Sequence, residues 1–317
     1  TLWHTLSLHD ALPICKKQDV PLKDIASDLS TKAAWLSNLI REQEWISGQE
    51  GSGWFNGYYD NRGERVEGQT EGDTRMTLTG QVFPLMAGIA TAAQARQISQ
   101  AAEEHLYDPA LNGYRLNTNF GKDLPELGRA FAFAYGHKEN GAVFSHMSVM
   151  FAYALYRNGL VDEGWRILEG LFTQSQDFPI SRMYPGIPEY FNPRGRGVYP
   201  YLTGSAAWMI FTLLTEAFGI KGDLGDLRLE PKLTAGQFTC SDRISVRTIF
   251  AGKHLLVTYH NPDHLSYGGY RPGTLLVNGQ QTPTAGPLGR VTFPRDDVRS
   301  WPDNSEIMVE LVPNQER

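Results

Sequence analysis

The densest group of side chains able to do chemistry is Gly136-His137-Lys138-Glu139-Asn140-Gly141, with Ser145-His146 close behind it. Two histidines with a carboxylate between them raise the question of a metal. No His-x-x-x-His pair on one helix face accompanies them, and no third ligand stands at useful spacing, so no metal site is expected. His146 has two readings. It is either a histidine packed into a largely apolar helix, or an imidazole whose N–H donates to an anion near a helix start. Thr203-Gly204-Ser205 also opens a helical stretch. Thr203 is most simply an N-cap. A hydroxyl and free backbone N–H groups at a helix start are equally the apparatus that holds phosphate, and Gly204 would let an anion approach the backbone closely.

Carboxylates are the next resource. Inverting chemistry at a glycosidic bond needs a general acid on the leaving oxygen and a nucleophile on the opposite face of the ring. Water as nucleophile requires a second carboxylate as base. Phosphate requires none, but it must be held in line by cationic and N–H donors. Glu139 and Glu189 are the acids most closely surrounded by Gly, Pro and Tyr. Each fits a sugar-hydroxyl acceptor or a loop-fixing group as well as a catalytic one. Arg182, Arg194 and Arg196 share the loop of Glu189 and could bind hydroxyls or offset charge. Aromatic residues make up 11% of the chain; rings such as Tyr190 either fill a core or stack on sugar faces.

The elements that must position these groups are mostly helical as far as about residue 220. Ile25, Leu29, Leu36, Leu39 and Ile40 recur at helical spacing between Leu22 and Ile46. Gly51–Gly72 is glycine-punctuated and aromatic, with Asp60-Asn61-Arg62-Gly63 as a hairpin turn. Helices are expected over Leu78–Ala90, Ser99–Leu106, Val143–Tyr156 and Val161–Gln174. Ser205–Phe218, apolar nearly all round, reads as a buried helix. Long loops at Tyr107–Gly141 and Asp177–Pro200 carry most of the candidate residues, and loops of that length are usually functional. Helix pairs alternating with such loops suggest a toroid with the loops around its cavity. After Ile220, short β-prone runs appear at Leu227–Leu229, Ile244–Phe250, Leu255–Tyr259, Thr274–Val277, Arg290–Phe293 and Ile307–Val312. They predict an antiparallel sandwich, with the domain boundary near 220.

Bulk properties exclude several classes. The 317 residues are 41% hydrophobic and 20% charged, with a formal net charge of -6; no basic run offers a nucleic-acid surface. No apolar stretch reaches the roughly 20 residues that span a bilayer. Cys15 and Cys240 form no disulfide framework or metal pattern, which suits a reducing compartment. No signal-peptide pattern opens the chain, and a cytoplasmic location is expected. Residues 5–14, Thr-Leu-Ser-Leu-His-Asp-Ala-Leu-Pro-Ile, coincide with one reading frame of a common sequencing adaptor. Residues 1–14 are therefore expected to be non-native, with natural sequence starting near Cys15 and once extending further upstream. His4, His9 and Asp10 are set aside.

The strings Gly136–Gly141, Val143-Phe144-Ser145-His146 and Leu202-Thr203-Gly204-Ser205-Ala206-Ala207-Trp208 resemble those of inverting glycoside phosphorylases of the cellobiose phosphorylase type, glycoside hydrolase family 94. Gln81–Gly88 and Leu227-Arg228-Leu229-Glu230-Pro231 add weaker support. The resemblance implies an (α/α)6 barrel, incomplete in this chain, over residues 15–220. A β-sandwich would follow over 221–317, the intact enzyme being a homodimer. It implies that His146, Thr203 and Gly204 bind inorganic phosphate as co-substrate, with no cofactor and no metal. Glu139 is placed in the active-site loop without the acid role. His137, Glu189, Tyr190, Arg182 and Arg196 are the accompanying sugar-binding candidates. The family's general acid is an aspartate in a Trp-Asn-Asp-Gly type segment. No such segment occurs in this sequence, so it is expected upstream, and the chain alone is expected to be inactive.

Departures from the cellobiose-acting pattern bear on the substrate. Phe83 stands where a tryptophan is usual. The strings Ser145–Met150, Met183–Tyr190 and Gly195-Arg196-Gly197 resemble the 1,2-β-oligoglucan phosphorylase branch, and the phosphorylase-like end of cyclic β-1,2-glucan synthases is similar. The expected partners are thus phosphate and a β-linked glucose oligosaccharide. Two other classes stay open: an inverting glucoamylase-like hydrolase on the same toroid, and a non-catalytic glycan-binding module.

Overall fold

The structure, a computed structural model, describes residues 21–48, 51–70, 73–121, 124–183, 186–201, 203–238, 240–283 and 290–314. The segment read as adaptor-derived lies outside these, as do Tyr184, Pro185 and Leu202 of the family-like strings.

The helical part contains α1 (Leu22–Gln43), α2 (Thr79–Met86), α3 (Ala92–His105), α4 (Ser145–Arg157), α5 (Val161–Gln176) and α6 (Ser205–Thr212). Thr91 caps α3 in a reciprocal box with Gln94, which starts that helix well before the expected Ser99. Pro84 sits inside α2, which ends at Met86, short of the expected Ala90. Gly159, with φ 77°, makes the turn between α4 and α5 that no Cβ-bearing residue adopts cheaply. Between helices, Trp45–Ser47 (β1) pairs with Gly53–Phe55 (β2). The expected Asp60–Gly63 turn is present: Gly63 N donates to Asp60 O and Tyr59 bridges Arg65.

Short strands in the expected loop Asp177–Pro200 and at the start of the helix expected from Val143 tie distant segments together. Val143–Phe144 (β3), Tyr190–Phe191 (β4) and Gly197–Val198 (β5) form one antiparallel sheet. This is why α4 begins at Ser145 and not at the expected Val143.

The C-terminal part holds two sheets. Ile220–Asp223 (β6), Asp226–Leu229 (β7) and Val291–Phe293 (β12) form one, in that order. The other runs Arg243–Phe250 (β8), Lys253–His260 (β9), Ser305–Pro313 (β13), Tyr270–Val277 (β10) and Gln280–Gln281 (β11). Against the antiparallel expectation, β9 and β13 pair in parallel. Alternate residues Leu255, Val257 and Tyr259 of β9 and Ile307, Val309 and Leu311 of β13 point inward. They join Leu227, Leu229, Val291 and Phe293 in a core continuous with that of the helices. Tyr259 Oη donates to Phe218 O at 2.5 Å across that junction.

The Ser205–Phe218 expectation also needs correcting. Its first part is α6, whose Ile210 and Phe211 are 60% and 44% exposed, and Leu213–Ala217 is a π-helical turn. Only one stripe of this helix is buried, so an apolar composition at this position does not mean burial all round.

Candidate active site

β3 hands the chain directly to α4, so His146 falls in the first turn of that helix. Gly204 precedes the first residue of α6. The two positions meet. A Cβ built on Gly204 would stand 2.8 Å from His146 Cε1 and 3.2 Å from Nδ1, so no larger residue fits unless the ring moves. Trp208, one turn further along α6, places its ring 5.8 Å from the imidazole at a tilt of 49°. His146 Nε2 is buried and has no hydrogen-bond partner among the described residues. An orphaned buried ring nitrogen needs an explanation, and a bound polar ligand is one. Burial also holds the imidazole below its ordinary pKa of 6.5. It is therefore neutral near pH 7, with one ring nitrogen available to donate.

Thr203 serves this corner differently from expectation. The N-cap residue of α6 is Gly204, without a side-chain cap. Thr203 Oγ1 instead accepts from Ser205 N at 3.3 Å and lies 3.0 Å from Ser205 Oγ. Ser205 Oγ reaches Pro188 O at 3.3 Å, tying the start of α6 to the chain entering β4. Ser145 N donates to Glu189 O at 2.8 Å, tying the start of α4 to the same strand. The Ser145 hydroxyl is a second buried polar atom without a partner among the described residues. The corner thus combines an imidazole and hydroxyls at the starts of two helices, which suits an anion.

The loop Gly136–Gly141 is pinned from behind. Asn140 Nδ2 donates to Phe133 O at 2.7 Å, and Asn117 Nδ2 to Asn140 Oδ1 at 3.1 Å. Gly141 N donates to Asn117 Oδ1 at 2.8 Å. Arg115, ion-paired with Asp108, donates to Gly141 O at 2.7 Å and lies over the Tyr135 ring. His137 and Glu139 are exposed at the tip of this turn. A Cβ on Gly136 would overlap Pro193, so the turn abuts the connection between β4 and β5.

Glu189 is half-buried, and its backbone N–H meets Val198 O and Tyr199 O. Tyr190 is buried, stacked on Phe144 with centroids 6.3 Å apart, and its hydroxyl pKa is raised by burial. Arg196 is exposed at the β4–β5 turn, its N–H on Asn192 Oδ1 at 3.2 Å. Arg182 is exposed in a left-handed conformation, with its guanidinium over the ring of Phe178. The structure therefore brings His146, Thr203 and Gly204 together and links them through the backbone to Glu189 and Tyr190. Arg182 lies instead over Phe178.

Lys138 and Tyr199 were missed. Lys138 Nζ lies 4.7 Å from the Tyr199 ring centroid and 5.4 Å from that of Phe133. Its hydrogen bond to Tyr199 raises its pKa. Both residues hold positive φ, 50° and 57°, a strained state that clusters at functional sites. Lys138 stands inside the Gly136–Gly141 string, but nothing in the spacing signals a partner 61 positions away. A cavity of 720 Å3, walled by Phe131, Phe133, Tyr135 and Asn140, adjoins the loop. Among the described residues no group of three His, Cys, Asp or Glu is placed to hold a metal.

The family model for the catalytic domain of the glycosyl hydrolase 94 superfamily matches residues 2–219. The chain belongs to this superfamily. It is 23% identical over 250 residues to an N,N'-diacetylchitobiose phosphorylase of Vibrio proteolyticus, covering 76% of this chain and 30% of the relative. It is 23% identical over 290 residues to a solabiose phosphorylase of Paenibacillus borealis, covering 89% and 36%. The chain thus spans about a third of the length of these relatives. A solved sialidase structure shares the fold with TM-score 0.53 and 15% identity, over 88% of this chain and 25% of that one. None of the described helices is long and apolar enough to cross a membrane.

Proposed function

We propose that this chain is the phosphate-binding part of an inverting β-glucoside phosphorylase acting on β-1,2-linked oligoglucans. The observation that carries the reading is the apposition of His146 and Gly204, with His146 Nε2 buried and unpartnered among the described residues. The phosphorylases among its relatives support it.

In this reading the His146 ring N–H, the Thr203 hydroxyl and the backbone at Gly204 hold inorganic phosphate beneath the anomeric carbon. A phosphate oxygen forms the new bond from the α face while the glycosidic C–O bond breaks. The leaving oxygen takes a proton from an aspartic acid in the upstream part of the intact enzyme. The products are α-glucose 1-phosphate and an oligosaccharide one unit shorter. Phosphate supplies the nucleophile, so neither a base carboxylate nor a cofactor is required. Glu139, His137, Glu189, Tyr190 and the arginines Arg182 and Arg196 shape the sugar subsites. The helices belong to an (α/α)6 toroid over residues 15–220, the strands to a sandwich over 221–317, and the intact enzyme is a cytoplasmic homodimer. The β-1,2 linkage rests on the strings Ser145–Met150 and Gly195-Arg196-Gly197.

The test is a product assay on the intact enzyme with β-1,2-, β-1,3- and β-1,4-linked oligoglucosides, with and without phosphate. Glucose 1-phosphate formed only with phosphate, and fastest from the β-1,2 series, is expected. Free glucose released at the same rate without phosphate would establish a hydrolase instead.

A further inference from the structure

The two helices that start at the candidate phosphate site also finish at one place. α4 carries His146 in its first turn and Tyr156 in its last. α6 starts after Gly204 and continues into the π-helical turn that carries Glu216. Contacts run in step along both: His146 on Trp208, then Tyr153 on Trp208 and Phe211. The helices therefore lie side by side and parallel.

At their far ends the side chain of Lys232 joins them. Lys232, which follows β7, donates from Nζ to Tyr156 O at 2.7 Å and to Glu216 Oε2 at 3.2 Å. Its own backbone N–H donates to Ala217 O at 2.9 Å, which fixes where the side chain begins. Glu216 and Lys232 are 2% and 6% exposed. Lys221 meets the same carboxylate at 3.0 Å but makes no bond to α4.

A buried ion pair is a poor device for stability alone, since apolar residues of similar volume often do as well or better. What an ammonium adds is direction: its N–H groups reach a fixed carbonyl on one helix and a fixed carboxylate on the other. The π turn, a form found often at functional sites, carries Glu216 at this junction.

We propose that Lys232 is a positioning residue for the phosphate site. By locking the ends of α4 and α6 in one axial register, it sets His146 against Gly204 about 15 to 18 Å away along the helices. This inference rests on the reading in which those two residues bind phosphate.

The test uses this chain as it stands, with Lys232→Met, Lys221→Met and the double variant Glu216→Gln/Lys232→Met. Three quantities are read: the NMR signals of the His146 ring and the Gly204 amide without ligand, the Kd for inorganic phosphate, and the unfolding temperature. Lys232→Met leaves Glu216 less well compensated and should unfold at lower temperature. The double variant removes both of these charges, and Lys221, which loses Glu216, keeps Glu230 at 3.9 Å. It should recover much of that loss, which keeps a folded protein in hand. Both variants should displace the His146 and Gly204 signals and weaken phosphate binding tenfold or more, whereas Lys221→Met should leave both near wild type. A role in stability alone predicts that the double variant regains affinity along with stability. A folded double variant with wild-type signals and wild-type Kd would overturn the proposal. Should the wild-type chain take up no phosphate, the functional reading fails, and the ligand-free signals alone decide the positioning role.

Discussion

The Cα of Gly204 faces the ring of His146 so closely that a single added methyl would lie 2.8 Å from Cε1. The φ of Gly204, -77°, is one any residue adopts. The glycine is thus required for the space it leaves beside the imidazole and not for its backbone freedom. Gly204→Ala should therefore weaken phosphate binding by tenfold or more by pushing the ring aside. The stability cost should stay near the ~1–3 kcal/mol of a tight small-to-large change. Calorimetric titration with phosphate and thermal unfolding of the same variant separate the two effects.

His146 gives a pH signature. Burial lowers its pKa below 6.5. A depressed histidine contributes stability that is present above the unfolded value and is lost as pH falls through the folded value. Its ring signal should therefore titrate below pH 6.5 in the free chain. Bound phosphate favours the imidazolium and should move that midpoint upward. A midpoint at or above 6.5 without ligand would contradict the buried placement.

Glu67 carries the opposite sign. Its carboxyl accepts from Gly57 N at 2.9 Å, Thr77 N at 2.8 Å and Thr77 Oγ1 at 2.6 Å, bracing β2 against the start of α2. Burial nevertheless pushes its pKa up to about 7. A raised carboxyl contributes stability that is full below its unfolded value of 4.5 and is lost as pH rises through about 7. The loss over that window is on the order of 3 kcal/mol. Glu67→Gln cannot ionise, so the unfolding-temperature gap between wild type and variant should change between pH 4.5 and 7 and be flat outside it. A constant gap would refute the assignment.

Asn140 bridges Phe133 O and Asn117. Asn140→Ala takes the donor from Phe133 O, while Asn117 Nδ2 keeps its bond to Thr118 O at 2.8 Å; the lost bonds should cost about 1 kcal/mol. The loss should appear locally, as faster hydrogen exchange of the Gly136 and Gly141 amides, because their partners belong to the same network.

These predictions fall on features that the sequence revealed unevenly. Most strands of the C-terminal part were legible because they have an alternating or β-branched run between turn residues; Ile220–Asp223 and Gln280–Gln281, short and half polar or wholly polar, were not. Ile244–Phe250 became Arg243–Phe250, and Ile307–Val312 became Ser305–Pro313. Their order was not legible, since the parallel pairing of β9 with β13 joins segments about fifty positions apart. At the site, His146, Thr203 and Gly204 stood out by residue type at helix starts, and these the fold brings together. The three-stranded tie of β3, β4 and β5 was hidden, because two-residue strands have no period to detect. Lys138 and Tyr199 were hidden for a related reason: their pairing is a tertiary contact with no local signature. Arg182 was chosen because it shares the loop of Glu189 and could bind hydroxyls or offset charge; its guanidinium lies over Phe178, a contact the sequence does not signal.

The most direct test of the central claim is a titration of this chain with inorganic phosphate, followed at the His146 ring and the Gly204 amide. Saturable shifts of both signals with one common Kd, abolished in His146→Ala, are expected. Signals that stay fixed as phosphate rises, or that drift linearly as they do with chloride, would contradict a phosphate site between these two residues.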